Sequence, residues 1–200
     1  VAGFLIGGFV SGAIAAAVVT PGISNARVQV INSTAPWLLW NLAGVASAAE
    51  SRHGRDAQEV QILAAVVAVT VPFGGPFLGN TLARLVKPRS GAVSLANSVG
   101  IWSGAFALMA QVVRDGSLRE DALAPAVLVS DLGLAFGALL ARDLDVDRSQ
   151  VLLADLCGLA GAIAGGAMAG NVDDAQRATA VSIGAALGLA GGVAAAVAIR

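Results

Sequence analysis

The stretch Leu82-Ala83-Arg84, with Arg89-Ser90 after a short turn, occurs a second time as Leu140-Ala141-Arg142 with Arg148-Ser149. The two copies begin 58 positions apart, and the apolar residues on either side of the turn keep the same offset. A fixed period of this length is typical of repeat architectures. The sequence therefore predicts a repeated unit made of an apolar segment, a tight basic turn and a second apolar segment.

The composition leaves too little charge to cover a surface that faces water. Apolar residues make up 56% of the 200 residues, charged residues 12%, and the mean hydropathy is +0.78, whereas a globular domain has about 25% charged residues. The net charge of −1 offers no field that attracts nucleic acid, and one Cys cannot form an internal disulfide. The predicted partner is therefore the lipid bilayer, and no nucleic acid is expected.

Clusters of charge divide the chain into seven uncharged or nearly uncharged stretches, each close to the roughly 20 residues that a helix needs to cross a bilayer. They are residues 1–20, 28–49, 60–83, 90–113, 122–141, 149–172 and 178–199. The predicted fold is all-α, with about seven antiparallel hydrophobic, transmembrane helices in tandem hairpin repeats. The predicted division is a single helical repeat domain over residues 1–200, with hairpins at 1–49, 60–113 and 122–172 and a half-unit at 178–199.

Both ends of the sequence lie within or beside apolar runs, at Val1 and Arg200. This placement predicts a fragment of a longer chain. Further copies of the repeat, or other domains of the same chain, are accordingly expected as partners.

Glycines four residues apart occur in six of the seven segments. This spacing places both glycines on one helix face and removes the side chains there, so that a neighbouring backbone can approach closely. The pattern predicts helix packing of the glycine-zipper type. The predicted packing glycines are Gly8, Gly12, Gly75, Gly79, Gly100, Gly104, Gly133, Gly137, Gly161, Gly165, Gly184, Gly188 and Gly192.

Glycine-rich helices, such as the one with Gly74-Gly75 and Gly79, alternate with turns that carry Arg-Ser shortly before a Val, each followed by a helix that carries Gly or Trp. This alternation resembles uncharacterised bacterial envelope proteins with serial Gly/Ala/Trp-rich hydrophobic segments. The resemblance covers most of the chain and is best over residues 70–170. It implies a location in the membrane of the bacterial cell envelope and no particular activity.

Four polar residues within or beside apolar segments are candidates for a functional site: Asn32, Asn97, Asp131 and Asp155. A carboxylate at the bilayer centre costs roughly 2.5–3.5 kcal/mol on insertion scales, so a proton or cation relay is one interpretation. Asp155 occupies the repeat position of Asn97, and Asn32 holds the earlier copy of that position. Because a neutral amide cannot relay a proton, hydrogen bonding between helices is the favoured interpretation.

The segment 60–83 contains a possible helix break at Pro72, Gly74, Gly75 and Pro76. Carbonyl groups freed by a break could line a binding site, as in secondary transporters. The alternative is a kink that packs against neighbouring helices. No proline stands at the equivalent places of the fifth segment, so the break is not part of the repeat.

The sequence contains no pattern typical of catalysis, of metal binding or of cofactor binding. His53 is the only histidine and has no cysteine nearby, and a metal site needs more ligands. Cys157 lies in an apolar helix, where a cysteine acts as a small hydrophobe.

The predicted function is therefore that of a non-enzymatic integral membrane protein with a structural or scaffolding role. A transporter or channel that uses Asp131, Asp155 and the break at 72–76 is the first alternative. A soluble helical repeat array within a larger assembly is the second.

Overall fold

The computed structural model describes residues 23–53, 62, 65–67, 69–119 and 121–199, and over these residues it contains helices and turns and no strand. The all-α prediction is confirmed for this part of the chain, which holds six α-helices. The first predicted segment, residues 1–20, lies outside the described residues. The helices are α1 (Asn25–His53), α2 (Gly75–Val86), α3 (Ser90–Asp115), α4 (Leu123–Asp143), α5 (Arg148–Ala169) and α6 (Asp174–Ala198).

The helices end at the charged clusters, where polar side chains and turn residues satisfy the terminal backbone groups. Asp147 and Gln150 form a capping box at the start of α5. The carboxylate of Asp173 accepts a hydrogen bond from the Gln176 backbone N–H at 2.7 Å at the start of α6. Gly116 closes α3 with a φ of 75°, a left-handed conformation that glycine adopts without strain.

Five helical segments of the described chain are long and apolar enough to cross a membrane. They are Ala65–Val86, Ser90–Asp115, Leu123–Asp143, Arg148–Ala169 and Asp174–Ala198. The first of these joins the π-helical turn Thr70–Gly74 to α2. Helix α1 has 29 residues and is therefore long enough, but it does not belong to this group. Its polar residues, among them Gln29, Asn32 and Asn41, lower its hydropathy.

The distribution of side-chain size is the reverse of that in a water-soluble protein. Ten of the fourteen buried apolar side chains in the described residues are alanines. Large apolar side chains point outwards instead, as Leu128, Leu132 and Phe136 do along α4, with exposed fractions of 66%, 71% and 57%. Soluble proteins bury such side chains. This arrangement is compatible with helices that face lipid.

The helices pack in three antiparallel pairs, α1 with α2, α3 with α4, and α5 with α6. Helices α1, α3 and α5 contact their neighbours in turn and join the pairs. The predicted hairpins 60–113 and 122–172 therefore need correction, because the helices on either side of each basic turn, α2 with α3 and α4 with α5, do not pack closely over the described residues. Likewise, α6 is not a half-unit but the partner of α5. Of the predicted hairpin 1–49, the first segment lies outside the described residues and the second is α1.

Candidate functional site

The same glycine contact occurs in all three helix pairs. A glycine of the second helix lies against the Cα atom of one residue of the first helix and against the carbonyl oxygen of the residue before it. A methyl group added at Gly137, for example, would lie 2.9 Å from the Cα atom of Ala96. The three sets are Gly79 with Ile31 and Val30, Gly137 with Ala96 and Leu95, and Gly192 with Ala154 and Leu153.

The spacing of these contacts along the chain can be compared with the offset of 58 in the sequence. The contact residues Ile31, Ala96 and Ala154 are separated by 65 and 58 positions. The glycines that they meet are separated by 58 and 55 positions. The offset of 58 therefore recurs once in each set: between Ala96 and Ala154, and between Gly79 and Gly137.

The other predicted glycines that the structure describes also face a neighbouring helix. Gly161 and Gly184 oppose each other so closely that a methyl group on either would overlap the carbonyl oxygen of the other. The further contacts are Gly75 with Ala35, Gly100 with Trp37 and Leu134, Gly104 with Ser130, Gly133 with Ser103, Gly165 with Ala180, and Gly188 with Cys157. Gly8 and Gly12 lie outside the described residues.

Two tryptophans connect one helix pair to the next. The Trp37 indole N–H in α1 donates to the Asn97 side-chain oxygen in α3 at 2.8 Å. The Trp102 indole N–H in α3 donates to the Asp155 carboxylate in α5 at 2.9 Å. We call these two hydrogen bonds the tryptophan links. Their acceptors, Asn97 and Asp155, are 58 positions apart.

Each tryptophan ring also lies on a glycine three residues beyond its acceptor. The Trp37 ring covers Gly100, and the Trp102 ring covers Gly158. Gly158 was not among the predicted packing glycines, because no glycine stands four residues away from it. Each link therefore combines one hydrogen bond with one apolar contact, and Gly leaves room for the indole.

Asp155 points into the helix bundle and is held there by two donors from α3. The Ser98 hydroxyl donates to the same carboxylate oxygen as Trp102 does, at 2.5 Å. Within the described part of the chain, Asp155 forms no ion pair. Both donors are neutral and both bond Oδ1, so these contacts join α5 to α3 without a second charged group.

Asp131 of α4 has a different partner. The Asn41 amide of α1 donates to the Asp131 carboxylate at 3.2 Å and also to the Trp37 carbonyl oxygen at 3.0 Å. The buried Ser130 hydroxyl next to Asp131 donates to the Gly100 carbonyl oxygen at 2.7 Å. The two predicted acids therefore lie at separate contacts, and the structure does not bring them together in one relay.

A polar cleft of about 480 Å³ opens between α1, α3 and α5 on the side of their N-termini. Asn32 lies on this cleft and is itself exposed, whereas Asn97 and Asp155 are half-buried on it. The cleft offers amides, hydroxyls, one carboxylate and the guanidinium of Arg148. The described residues contain no cluster of His, Cys, Asp and Glu that could hold a metal ion. These groups can bind and orient by hydrogen bonds.

The predicted helix break is not a break. Residues Thr70–Gly74 form a π-helical turn that continues directly into α2. Val69, Gly74 and Gly75 all have right-handed helical dihedral angles, and the Gly75 N–H donates to the Val71 carbonyl oxygen. A π turn widens the backbone by one residue, which accommodates proline without interrupting the helix. The geometry therefore opens no helix end toward a binding site.

Comparison of the chain with protein-family models, with curated proteins and with solved structures gives no match. The fold and the contacts themselves define the class: an all-helical chain with membrane-length apolar helices, small residues at the helix contacts and large apolar residues outside.

Proposed function

We propose that this chain is a non-enzymatic integral membrane protein with a structural or scaffolding role in the bacterial envelope. The observation that carries the proposal is the position of the polar and small residues of the chain at the contacts between helices. Asn97, Asp155 and Ser130 bond to neighbouring helices, and the glycines lie where backbones touch. Groups of this kind, placed between helices in lipid, stabilise helix association.

The proposal includes a repeat of three two-helix units, α1–α2, α3–α4 and α5–α6, with glycine-zipper packing within each unit. Three observations support it. The same glycine contact occurs in each unit, the tryptophan links join each unit to the next, and the offset of 58 separates the two acceptors of the links as well as Ala96 from Ala154 and Gly79 from Gly137. In repeat arrays each unit contacts its neighbours through a standard interface, so the array can extend over a surface.

The structural role predicts how substitutions at Asp155 behave. Asp155→Asn keeps an acceptor for Ser98 and Trp102, as Asn97 does for Trp37, and should leave the unfolding temperature in detergent close to that of the wild type. Asp155→Leu leaves two partly buried donors without an acceptor, which costs roughly 1–3 kcal/mol for each buried group. Asp143→Leu is the matched control, because Asp143 is exposed at the end of α4.

A transporter or channel is the second candidate, and the polar cleft that contains Asp155 is the observation that favours it. Proton or cation flux into liposomes containing the purified protein separates the two candidates. The structural role predicts a flux equal to that of empty liposomes for the wild type and for Asp155→Asn. Flux in the wild type that Asp155→Asn abolishes without loss of folding would establish the transporter.

A further inference from the structure

The basic turn between α2 and α3 lies at one end of an apolar groove. Because α2 packs on α1 and α3 packs on α4, the helices that this turn joins diverge, and a groove of about 1020 Å³ remains between α2 and α4. Its lining includes Leu82 and Val86 of α2, Ala92 and Ala96 of α3 and Leu134 and Leu139 of α4, and α1 also contributes residues, among them Thr34 and Trp37.

The end of this groove is positively charged. A second hollow of about 300 Å³, lined by Arg27, Arg84 and Lys87, adjoins the groove and shares Lys87 and Pro88 with it. Arg142 lies on the groove on the α4 side. No Asp or Glu lines either space among the described residues.

Most of this positive charge is not neutralised by the protein. Arg89 is paired with Asp145 at 3.0 Å, and its guanidinium also donates to backbone carbonyls. Arg27 donates to the neutral amide oxygen of Asn80 and keeps its charge. The side chains of Lys87 and Arg142 form no ion pair or hydrogen bond with any residue that the structure describes.

We propose that the groove and the adjoining hollow bind one anionic phospholipid, with an acyl chain in the groove and the phosphate against Lys87, Arg84 and Arg142. The proposal rests on the membrane location proposed above. An empty apolar groove of this size within a bilayer would lose van der Waals contacts, and the acyl chains of the surrounding lipids can restore them. Clustered Lys and Arg at the membrane surface attract anionic headgroups.

The first test is the unfolding temperature of the purified full chain in a non-ionic detergent, titrated separately with phosphatidylglycerol, phosphatidylcholine and inorganic phosphate. Phosphatidylglycerol should raise the unfolding temperature at a concentration about tenfold lower than phosphatidylcholine requires, and phosphate alone should have no effect. An equal effect of the two lipids would overturn the proposal. So would a phosphate effect as large as that of phosphatidylglycerol, because the site would then bind a free anion.

Two variants test the two halves of the site separately. The double variant Lys87→Gln with Arg142→Gln removes two charges and should weaken the phosphatidylglycerol effect about tenfold. Its control is the double variant Arg114→Gln with Arg177→Gln, which removes two exposed charges at the opposite end. Ala138→Phe places a large side chain in the path of an acyl chain in the groove and leaves every charge in place. Ala186→Phe, on the exposed face of α6, is its control.

In both test variants phosphatidylglycerol should act only at a concentration about tenfold higher than in the wild type, while both controls respond as the wild type does. A test variant that responds to phosphatidylglycerol as the wild type does overturns the proposal. Extraction of membranes with alkaline carbonate separates this failure from failure of the membrane location. A protein that stays in the membrane but binds both lipids equally refutes the lipid site alone, whereas a protein released by carbonate refutes both proposals.

Discussion

The Trp102 indole N–H donates to the Asp155 carboxylate at 2.9 Å and thereby joins α3 to α5. The equivalent bond from Trp37 ends on Asn97, an amide. The acceptor on α5 is thus a carboxylate, whereas the acceptor on α3 is an amide. The two hydrogen bonds share an acceptor oxygen and an indole donor, but not a charge.

Trp102→Phe keeps an aromatic ring on Gly158 and removes the N–H donor. We expect Trp102→Phe to lower the free energy of unfolding by about 1 kcal/mol, within the range of interhelical hydrogen bonds in membranes. A double-mutant cycle with Asp155→Leu should give a coupling energy of about 0.5–1.5 kcal/mol. Strictly additive effects would show that the link contributes nothing to stability. Trp40→Phe changes a tryptophan of α1 that has no hydrogen-bond partner among the described residues and serves as the control.

Gly191 and Gly192 form a matched pair of adjacent glycines on α6. A methyl group at Gly192 would lie 2.6 Å from the Ala154 Cα atom, whereas nothing lies within 4 Å of one at Gly191. Gly192→Leu should therefore force α5 and α6 apart and destabilise the protein by about 1–3 kcal/mol or more. Gly191→Leu should be neutral or slightly stabilising, because Leu favours a helix more than Gly does. Equal unfolding temperatures for the two variants would contradict the packing described here.

Ser130 is 2% exposed, and its hydroxyl bonds to the Gly100 carbonyl oxygen between α3 and α4. Ser130→Ala removes this bond and should cost about 1 kcal/mol. Ser130→Leu also inserts a large side chain beside Gly104 and should cost several times more. Thermal unfolding of both variants in detergent checks this order, and Ser149→Leu, at an exposed position in the first turn of α5, is the control for added bulk. A Leu variant no worse than the Ala variant would mean that α3 and α4 do not pack closely at this point.

The sequence predicts the helices, the residues at their contacts and the inward direction of Asp155, because these depend on composition and local spacing. It does not predict which helices pair. A period of 58 fixes the length of the unit but not its first residue, so the basic turns at Arg84 and Arg142 looked like the bends of hairpins. The glycine contacts of Gly79 and Gly137 on the preceding helix decide the pairing, and such contacts depend on three-dimensional packing.

The spacing of residues along the sequence does not predict the tryptophan links either. Whether an indole N–H on one helix reaches an acceptor on a neighbouring helix depends on the rotation of each helix about its own axis. A signal was nevertheless present, since Asn32 and Trp37 keep the same separation as Asn97 and Trp102. The acceptor of each Trp proves to be the Asn or Asp of the next copy of this pattern, and not that of its own.

The most direct test of the central claim, that these helices cross a bilayer, is the labelling of a cysteine placed at Leu132 in the middle of α4. The Leu132 side chain is 71% exposed in the structure. Neighbouring helices therefore cannot shield this position from the reagent, and only lipid can. In a Cys157→Ala background, Leu132→Cys and the loop variant Ser117→Cys are treated with a membrane-impermeant maleimide in open membrane fragments, which the reagent reaches from both sides. A spanning α4 predicts labelling of Leu132→Cys below about one tenth of that of Ser117→Cys, rising to equality once the membrane is dissolved in denaturing detergent. Equal labelling in the intact membrane fragments would contradict the account and favour a helical array that faces water.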